Sequence, residues 1–141
     1  MTHRTTNIDT VLASFQETWS PRILTRVNDY DVRLAKVEGD FVWHSHPDTD
    51  ELFLVLDGSL DIRLREAGAE TAVHLERHDV FVVPRGVEHC PRSPDGASVL
   101  LLEPAGTLST GDYVGEVPGH IDSTTGVEST SGGESTTGGE V

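Results

Sequence analysis

Residues 43–51, which read Trp-His-Ser-His-Pro-Asp-Thr-Asp-Glu, indicate both the fold and the chemistry of this chain. On a strand, His44 and His46 point to the same face, about 7 Å apart along the chain, and could share one ion. Glu51 opens the next apolar strand, so its carboxylate could reach the same ion. A third imidazole could come from His89, in the later segment Pro-Arg-Gly-Val-Glu-His-Cys at residues 84–90.

The chemistry of these donors narrows the choice of ion. Three neutral imidazoles and one carboxylate form a mixed nitrogen and oxygen set, which suits Fe, Mn, Ni, Co, Cu or Zn rather than Ca or Mg. Four protein ligands on an octahedral ion leave two positions for water or substrate, as a catalytic site requires. The simpler alternative is a pair of surface histidines on an edge strand, with Glu51 as a solvated strand start.

Two spaced motifs resemble those of the cupin family. The first is Gly39, followed by His44-x-His46-x4-Glu51-x6-Gly58, and the second is Pro84-x-Gly86-x2-His89. The resemblance runs from about residue 34 to residue 103. It implies a small β-barrel that binds one divalent transition metal through His44, His46, Glu51 and His89. It also implies the homodimer common among small single-domain cupins, some of which are labelled mannose-6-phosphate isomerase-like.

The sequence departs from the family pattern at three places, none of them a ligand position. Four residues rather than five separate Gly39 from His44. His78 stands where the second motif usually opens with glycine, at a turn that often needs a positive φ. Ser93 replaces the asparagine that usually ends the motif.

The pattern outside the motifs predicts one helix and many short strands. Residues 10–18 have helical spacing with Asp9 or Thr10 as N-cap. After Pro21 the pattern changes to that of strands, predicted at 23–27, 31–37, 41–46, 51–56, 60–65, 71–75, 80–83, 87–91 and 98–102. Asp57-Gly58 predicts a two-residue hairpin, and Pro94-Asp95-Gly96 predicts a turn.

Together these elements predict an all-β fold. It is a single small antiparallel β-barrel, a double-stranded β-helix or jelly roll, with a short N-terminal helix. We expect a helical extension at residues 1–20, the barrel at 21–118 and a disordered tail at 119–141. Residues 123–140 form three hexads such as Ser-Thr-Thr-Gly-Val-Glu, which have too few apolar side chains to pack.

Composition excludes several classes of protein. The 141 residues carry a formal net charge of −14, which argues against binding to nucleic acid or to an anionic membrane surface. No apolar run approaches the roughly 20 residues of a membrane span, and no apolar leader precedes residue 10. The single cysteine, Cys90, forms no internal disulfide. We expect a soluble cytoplasmic protein.

The excess of acids, with Lys36 the only lysine among 10 basic residues, indicates adaptation to high intracellular salt. A merely acidic protein from a low-salt organism is the alternative.

Several residues near the motifs have simpler roles than ligation. We expect Cys90 to be a buried inert thiol, and Trp43 to pack in the core, facing away from the metal. Phe53 and Val55 share the face of Glu51 and wall the pocket. Arg85 and Arg92 form salt bridges rather than bind an anionic substrate. The remaining histidines lie at the surface or in flanking segments.

Two classes of function fit these residues. The first is a metalloenzyme of isomerase or dioxygenase type acting on a small polar metabolite; no further acid–base pair names the reaction. The second is a non-catalytic module that binds a metal or a small ligand. A seed-storage-like structural role is disfavoured, since storage needs no ligand set.

Overall fold

A computed structural model describes residues 3–123 and 125–128. These residues contain the helix α1 Ile8–Ala13 and the strands β1 Arg22–Val27, β2 Tyr30–Asp40, β3 Glu51–Gly58, β4 Leu60–Glu66, β5 Ala69–Leu75, β6 Val80–Val83, β7 Glu88–Pro104 and β8 Val127–Glu128. The sheet has the order β5-β4-β7-β2-β1-β8, with β3 paired to both β6 and β7. The predicted fold class, an all-β jelly roll with a short N-terminal helix, is confirmed.

The core lies between the folded-over parts of this sheet. Alternate residues of β3 and β4 are buried, and their aliphatic and aromatic side chains pack with those of β7. The outward residues of β3 are half-buried leucines. In the described residues no helix combines the length and apolar character needed to cross a membrane.

Strand β7 connects the two parts of the sheet, because its 17 residues pair with three other strands. Residues 88–92 pair with β4, 92–104 with β2 and 97–102 with β3. The predicted turn at Pro94-Asp95-Gly96 is wrong, and so is the division of β7 into two strands. Those three residues form a bulge opposite Glu38, where the strand leaves β4 and joins β3.

The predicted hairpin at Asp57-Gly58 is also wrong. Strands β3 and β4 follow each other in sequence, but each pairs with a different section of β7. Gly58 has a φ of +78°, and a Cβ atom there would lie 2.3 Å from the carbonyl oxygen of Gly96. Glycine is therefore required at this position by the close passage of the β7 bulge.

The helix begins earlier than the pattern predicts. It spans Ile8–Ala13 rather than residues 10–18, and its N-cap is Asn7, whose side-chain oxygen accepts a hydrogen bond from the backbone N–H of Thr10 at 2.9 Å. Asparagine caps helices as well as aspartate does, so residue type alone did not select the cap. Val11 and Phe15 then pack against Leu34 of β2.

The predicted strand at residues 41–46 is reduced to one isolated bridge, between His44 and His89.

The folded part of the chain extends past residue 118, where the sequence places the end of the barrel. Ile121 is buried in the core, and the backbone N–H of Asp122 donates to the carbonyl of Trp19 at 3.0 Å. Strand β8 pairs in parallel with β1. The predicted boundary is therefore too early for residues 119–123 and 125–128. The rest of the predicted disordered tail, residues 124 and 129–141, lies outside the described residues.

Candidate metal centre

Four buried side chains meet inside the barrel: His44, His46, Glu51 and His89. Each offers one ligand-type atom, and these atoms all lie within 4.8 Å of one another. The exposed fraction is 0% for His89 and 5% for Glu51. The structure thus brings together the four residues that the sequence predicts as ligands, while their binding to a metal stays a prediction.

Three parts of the chain position these side chains. Glu51 is the first residue of β3, and the alternation of that strand turns it inward. His89 lies at the start of β7, and its backbone exchanges two hydrogen bonds with His44, of 3.0 and 2.8 Å. These bonds place the two imidazoles side by side, with ring centroids 4.3 Å apart. His46 follows outside any strand, with its ring 5.0 Å from that of His44.

Backbone carbonyls orient two of the imidazoles. His44 Nδ1 lies 2.8 Å from the oxygen of Val42, and His89 Nδ1 lies 2.9 Å from the oxygen of Val87. A carbonyl only accepts hydrogen bonds, so Nδ1 carries the proton of each neutral ring. Nε2 is therefore the nitrogen of each neutral ring that can bind a metal, an arrangement typical of histidine ligands. In the structure, Nε2 of His89 lies 3.1 Å from Glu51 Oε1, within hydrogen-bond distance.

The electrostatics of the site favour the metal-binding protonation states. Burial and the neighbouring His89 lower the pKa of His44 to about 4. Burial by itself would raise the pKa of Glu51, but the adjacent His46 and His89 hold that pKa well below its ordinary value. A neutral imidazole and an ionised carboxylate are the forms that bind metal ions.

One nitrogen at the site has no hydrogen bond. His46 Nε2 lies 3.2 Å from Glu51 Oε1, but the geometry is not that of a hydrogen bond, and the atom is buried. A buried polar atom without a partner costs free energy. A cation between the four side chains would satisfy it, so the residues present fit a divalent transition metal.

Comparison with known proteins assigns the family. Residues 30–103, over half of the chain, match the cupin domain family, and they contain all four side chains of the site. This chain belongs to the cupin family.

Three of the proteins that are similar to this cupin illustrate the relationship. The uncharacterized protein YdbB of Bacillus subtilis (strain 168) is 47% identical over 70 residues, which are 50% of this chain and 59% of YdbB. The 3-hydroxyanthranilate 3,4-dioxygenase of Paraburkholderia phytofirmans is 31% identical over 83 residues, 56% of this chain and 47% of the enzyme. The crystal structure of a cupin-2 domain containing protein from Shewanella frigidimarina NCIMB 400 superposes with a TM-score of 0.65 at 40% identity, covering 70% of this chain and 92% of that one.

The chain thus spans about half the length of the curated relatives it matches. The label mannose-6-phosphate isomerase-like stays a prediction.

A buried ionic network lies next to the candidate metal site of this cupin. Arg33 is fully buried and donates from Nη1 to Glu103 Oε1 at 2.9 Å and to the Thr107 carbonyl at 3.0 Å. Its Nη2 donates to Asp31 Oδ2 at 3.1 Å. Burial and the nearby Glu51 raise the pKa of Glu103 well above its ordinary value.

The ligands and this network share one cavity. It has a volume of about 40 Å³ and is lined by His44 and Glu51 as well as by Arg33 and Glu103. That volume accommodates about three water molecules. A second, open depression of about 360 Å³ borders His46 and the loop at residues 105–108.

The sequence pattern does not identify Arg33, Asp31 or Glu103 as part of the site. Asp31 and Arg33 alternate with Val32 and Leu34, the pattern of a strand with one solvated face. The structure instead buries both charged side chains. The one available signal was Glu103, a charge that directly follows the apolar run 99–102.

Of the other side chains predicted to surround the site, Phe53 lines the cavity as expected, whereas Val55 packs in the core and does not line it. Cys90 is buried, and burial raises the pKa of its thiol. Trp43 is only half-buried and lies outside the core, with the Arg65 guanidinium 3.7 Å above its ring. A cation–π contact thus replaces the expected core packing.

The predicted salt bridges form as expected. Arg85 pairs with Asp50 at 3.3 Å, and Arg92 pairs with Asp40 at 3.2 Å.

Two histidines outside the site lie in surface positions, as expected. His74 is exposed and pairs with Asp61 and Glu76. His78 occupies a turn with a φ of +75°.

Proposed function

We propose that this cupin is a metal-dependent oxygenase of dioxygenase type that acts on a small polar metabolite. The observation that carries the proposal is the convergence of four buried ligand-type atoms within 4.8 Å of one another beside a cavity. A bound Fe(II) ion would supply dioxygen binding, and other divalent ions would supply Lewis acidity.

The similarity to 3-hydroxyanthranilate 3,4-dioxygenase supports dioxygenase over isomerase chemistry. The chain spans only 47% of that enzyme, so we use the substrate of the enzyme as a test compound and do not assign it to this protein. Within this chain, His44, His46, Glu51 and His89 would hold the metal. The depression next to His46 would admit the substrate from solvent.

Metal content and oxygen consumption test this proposal. We expect about one Fe, Mn, Ni, Co, Cu or Zn ion per chain in protein purified without chelator. After loading with Fe(II), we expect oxygen uptake that depends on added 3-hydroxyanthranilate or a related small hydroxylated acid. Uptake should disappear in Glu51→Gln protein that still binds metal, and persist in His74→Ala, whose exposed imidazole lies outside the site.

An alternative function, a non-catalytic binding module, is favoured by one observation. The interior cavity of about 40 Å³ is much smaller than the roughly 300–1,000 Å³ of most small-molecule sites. In that case the loaded protein would bind metal fully but show no turnover with any probe, including sugar phosphates tested with Zn, Co or Mn. A metal content near zero, even after metal is added back and dialysed away, would contradict a functional metal site.

A further inference from the structure

A loop near the C-terminus packs directly on the segment that carries two of the ligands. We call residues 108–113, which follow β7, the strap. Asp112 accepts a hydrogen bond from the backbone N–H of Ser45 at 2.6 Å and another from Ser45 Oγ at 2.8 Å. The backbone N–H of Asp112 donates to the Ser45 carbonyl at 3.0 Å. The strap therefore engages every polar group of the residue between His44 and His46.

The strap approaches the ligands so closely that only glycine fits at its inner corner. Gly111 has a φ of +52°, and a Cβ atom there would lie 2.3 Å from the Ser45 carbonyl oxygen. The same Cβ would lie 3.0 Å from the Cδ2 atom of His44 and 3.1 Å from Nδ1 of His46. Glycine thus allows direct contact between the strap and both imidazoles.

The ligand segment needs such support because the sheet gives it little. His44 forms one isolated bridge, and His46 lies outside any strand. The carbonyl of Val42 orients His44, whereas His46 Nε2 has no hydrogen-bond partner. His44 and His46 are each tied by backbone hydrogen bonds, His44 to His89 and the carbonyl of His46 to the N–H of Gly86 at 3.0 Å. The three bonds between Asp112 and Ser45 hold the residue that lies between the two rings.

We propose that Asp112 is a positioning residue for the metal centre, which acts by fixing the Ser45 backbone and thereby the angle between His44 and His46. The inference rests on the proposed metal site. It adds a part of the chain that lies beyond residues 30–103, the section matched by the cupin domain family. The strap thus lies outside the motifs that carry the ligands.

The test measures Co(II) affinity by chelator competition and the visible absorption spectrum of the Co(II)-loaded protein, which reports ligand geometry. We expect Asp112→Ala to weaken Co(II) binding about 10-fold or more and to shift the spectrum, as losses of supporting contacts around metal ligands do. Asp112→Asn keeps the shape and one acceptor, so it should restore most of the affinity. Ser45→Ala removes one of the three bonds and should have the smallest effect.

Asp122→Ala is the matched control. Its carboxylate also accepts from a serine, Ser20 Oγ at 2.9 Å, and also lies in the region after β7, but it touches no ligand segment. We expect Asp122→Ala to leave Co(II) affinity and spectrum unchanged. Urea unfolding of the metal-free variants separates a change in global stability from a change at the site.

Two outcomes overturn the proposal. One is Asp112→Ala protein that is folded and binds Co(II) with the affinity and spectrum of the wild type. The other is an equal loss in Asp112→Ala and Asp122→Ala, which would show that the region acts through fold stability alone. If the wild type itself binds no Co(II), the proposed metal site fails, which is a distinguishable result.

Discussion

The function of the site depends on single side chains, and substitution of His46 tests the assignment of the ligands most directly. Its Nε2 is buried without a hydrogen bond, so its contribution to the fold is smaller than its contribution to metal binding. We expect His46→Ala to reduce bound metal per chain sharply while the barrel stays folded, as measured by elemental analysis and circular dichroism. Full metal retention would mean that the ligands are assigned wrongly.

The lowered pKa of His44 makes stability depend on pH. The unfolded chain binds a proton at His44 near 6.5 and the folded chain near 4, so the unfolded state binds more protons between these values. The contribution of neutral His44 to the free energy of unfolding is therefore fully present above pH 6.5 and is lost as the pH falls from 6.5 to 4. The shift corresponds to roughly 3–4 kcal/mol.

Urea unfolding of metal-free wild type and His44→Gln across this pH range measures that dependence. The raised pKa of Glu103 acts in the opposite direction, but Glu103 is present in both proteins, so its contribution cancels in the comparison. We expect the wild type to lose stability more steeply than the variant on acidification. Parallel curves for the two proteins would rule the effect out.

At the scale of strands, the junction between β3 and β4 depends on one glycine. Gly58→Ala places a Cβ atom 2.3 Å from the Gly96 carbonyl at a positive φ, whereas Gly68 has the same φ of +78° and open space around it. We expect Gly68→Ala to cost about 1–2 kcal/mol, the cost of the backbone conformation alone. Gly58→Ala should cost clearly more in urea unfolding. Equal losses of unfolding free energy in the two variants would show that the β7 bulge can move away from the added Cβ atom without strain.

The outer face of β3 and β6 predicts where two copies meet. Leu52 pairs with Val82 and Leu54 with Val80, and the two valines are 42% and 57% exposed. In a chain with net charge −14, an uncharged apolar face is where a second copy meets least repulsion. We propose a homodimer through this face. Light scattering should show Val82→Glu as a monomer and Thr71→Glu, exposed on β5, as a dimer; a monomeric wild type would contradict the proposal.

The elements that sequence predicted well are those set by local pattern. Strands β1 to β6 follow the pattern of apolar and polar residues, and the spacing of His44, His46 and Glu51 predicts side chains that the structure brings together. The pairing of strands was not predictable, because β7 pairs with strands that are far from it in the sequence. Pro94-Asp95-Gly96 has the composition of a turn, yet packing against β2 and β3 makes it a bulge.

Contacts between distant residues account for what the sequence did not reveal at the site. Asp112 acts on Ser45 across 67 positions, and Arg33 meets Glu103 across 70. Neither pair has a local motif. Both become visible only when the barrel brings the C-terminal part of the chain onto β2 and onto the ligand segment.

At the scale of the whole molecule, 24 acidic residues against 10 basic ones set the response to salt. Repulsion among the carboxylates opposes the compact state, and salt screens it. We therefore propose a halophilic protein, with a melting temperature that rises by several degrees or more between dilute buffer and molar KCl. Sucrose at equal osmolality should have a smaller effect. An unchanged melting temperature in KCl would contradict the proposal.

The partnership of β7 with β2, β3 and β4 also has a consequence for synthesis on the ribosome. Strands β2, β3 and β4 leave the ribosome before β7, the strand with which all three pair. Until residue 104 has emerged, their apolar faces are exposed and can bind chaperones or other nascent chains. Barrel closure therefore requires that residue 104 has left the ribosome. Barrel closure can be measured by the protease resistance of nascent chains that are stalled just before and just after residue 104 leaves the ribosome.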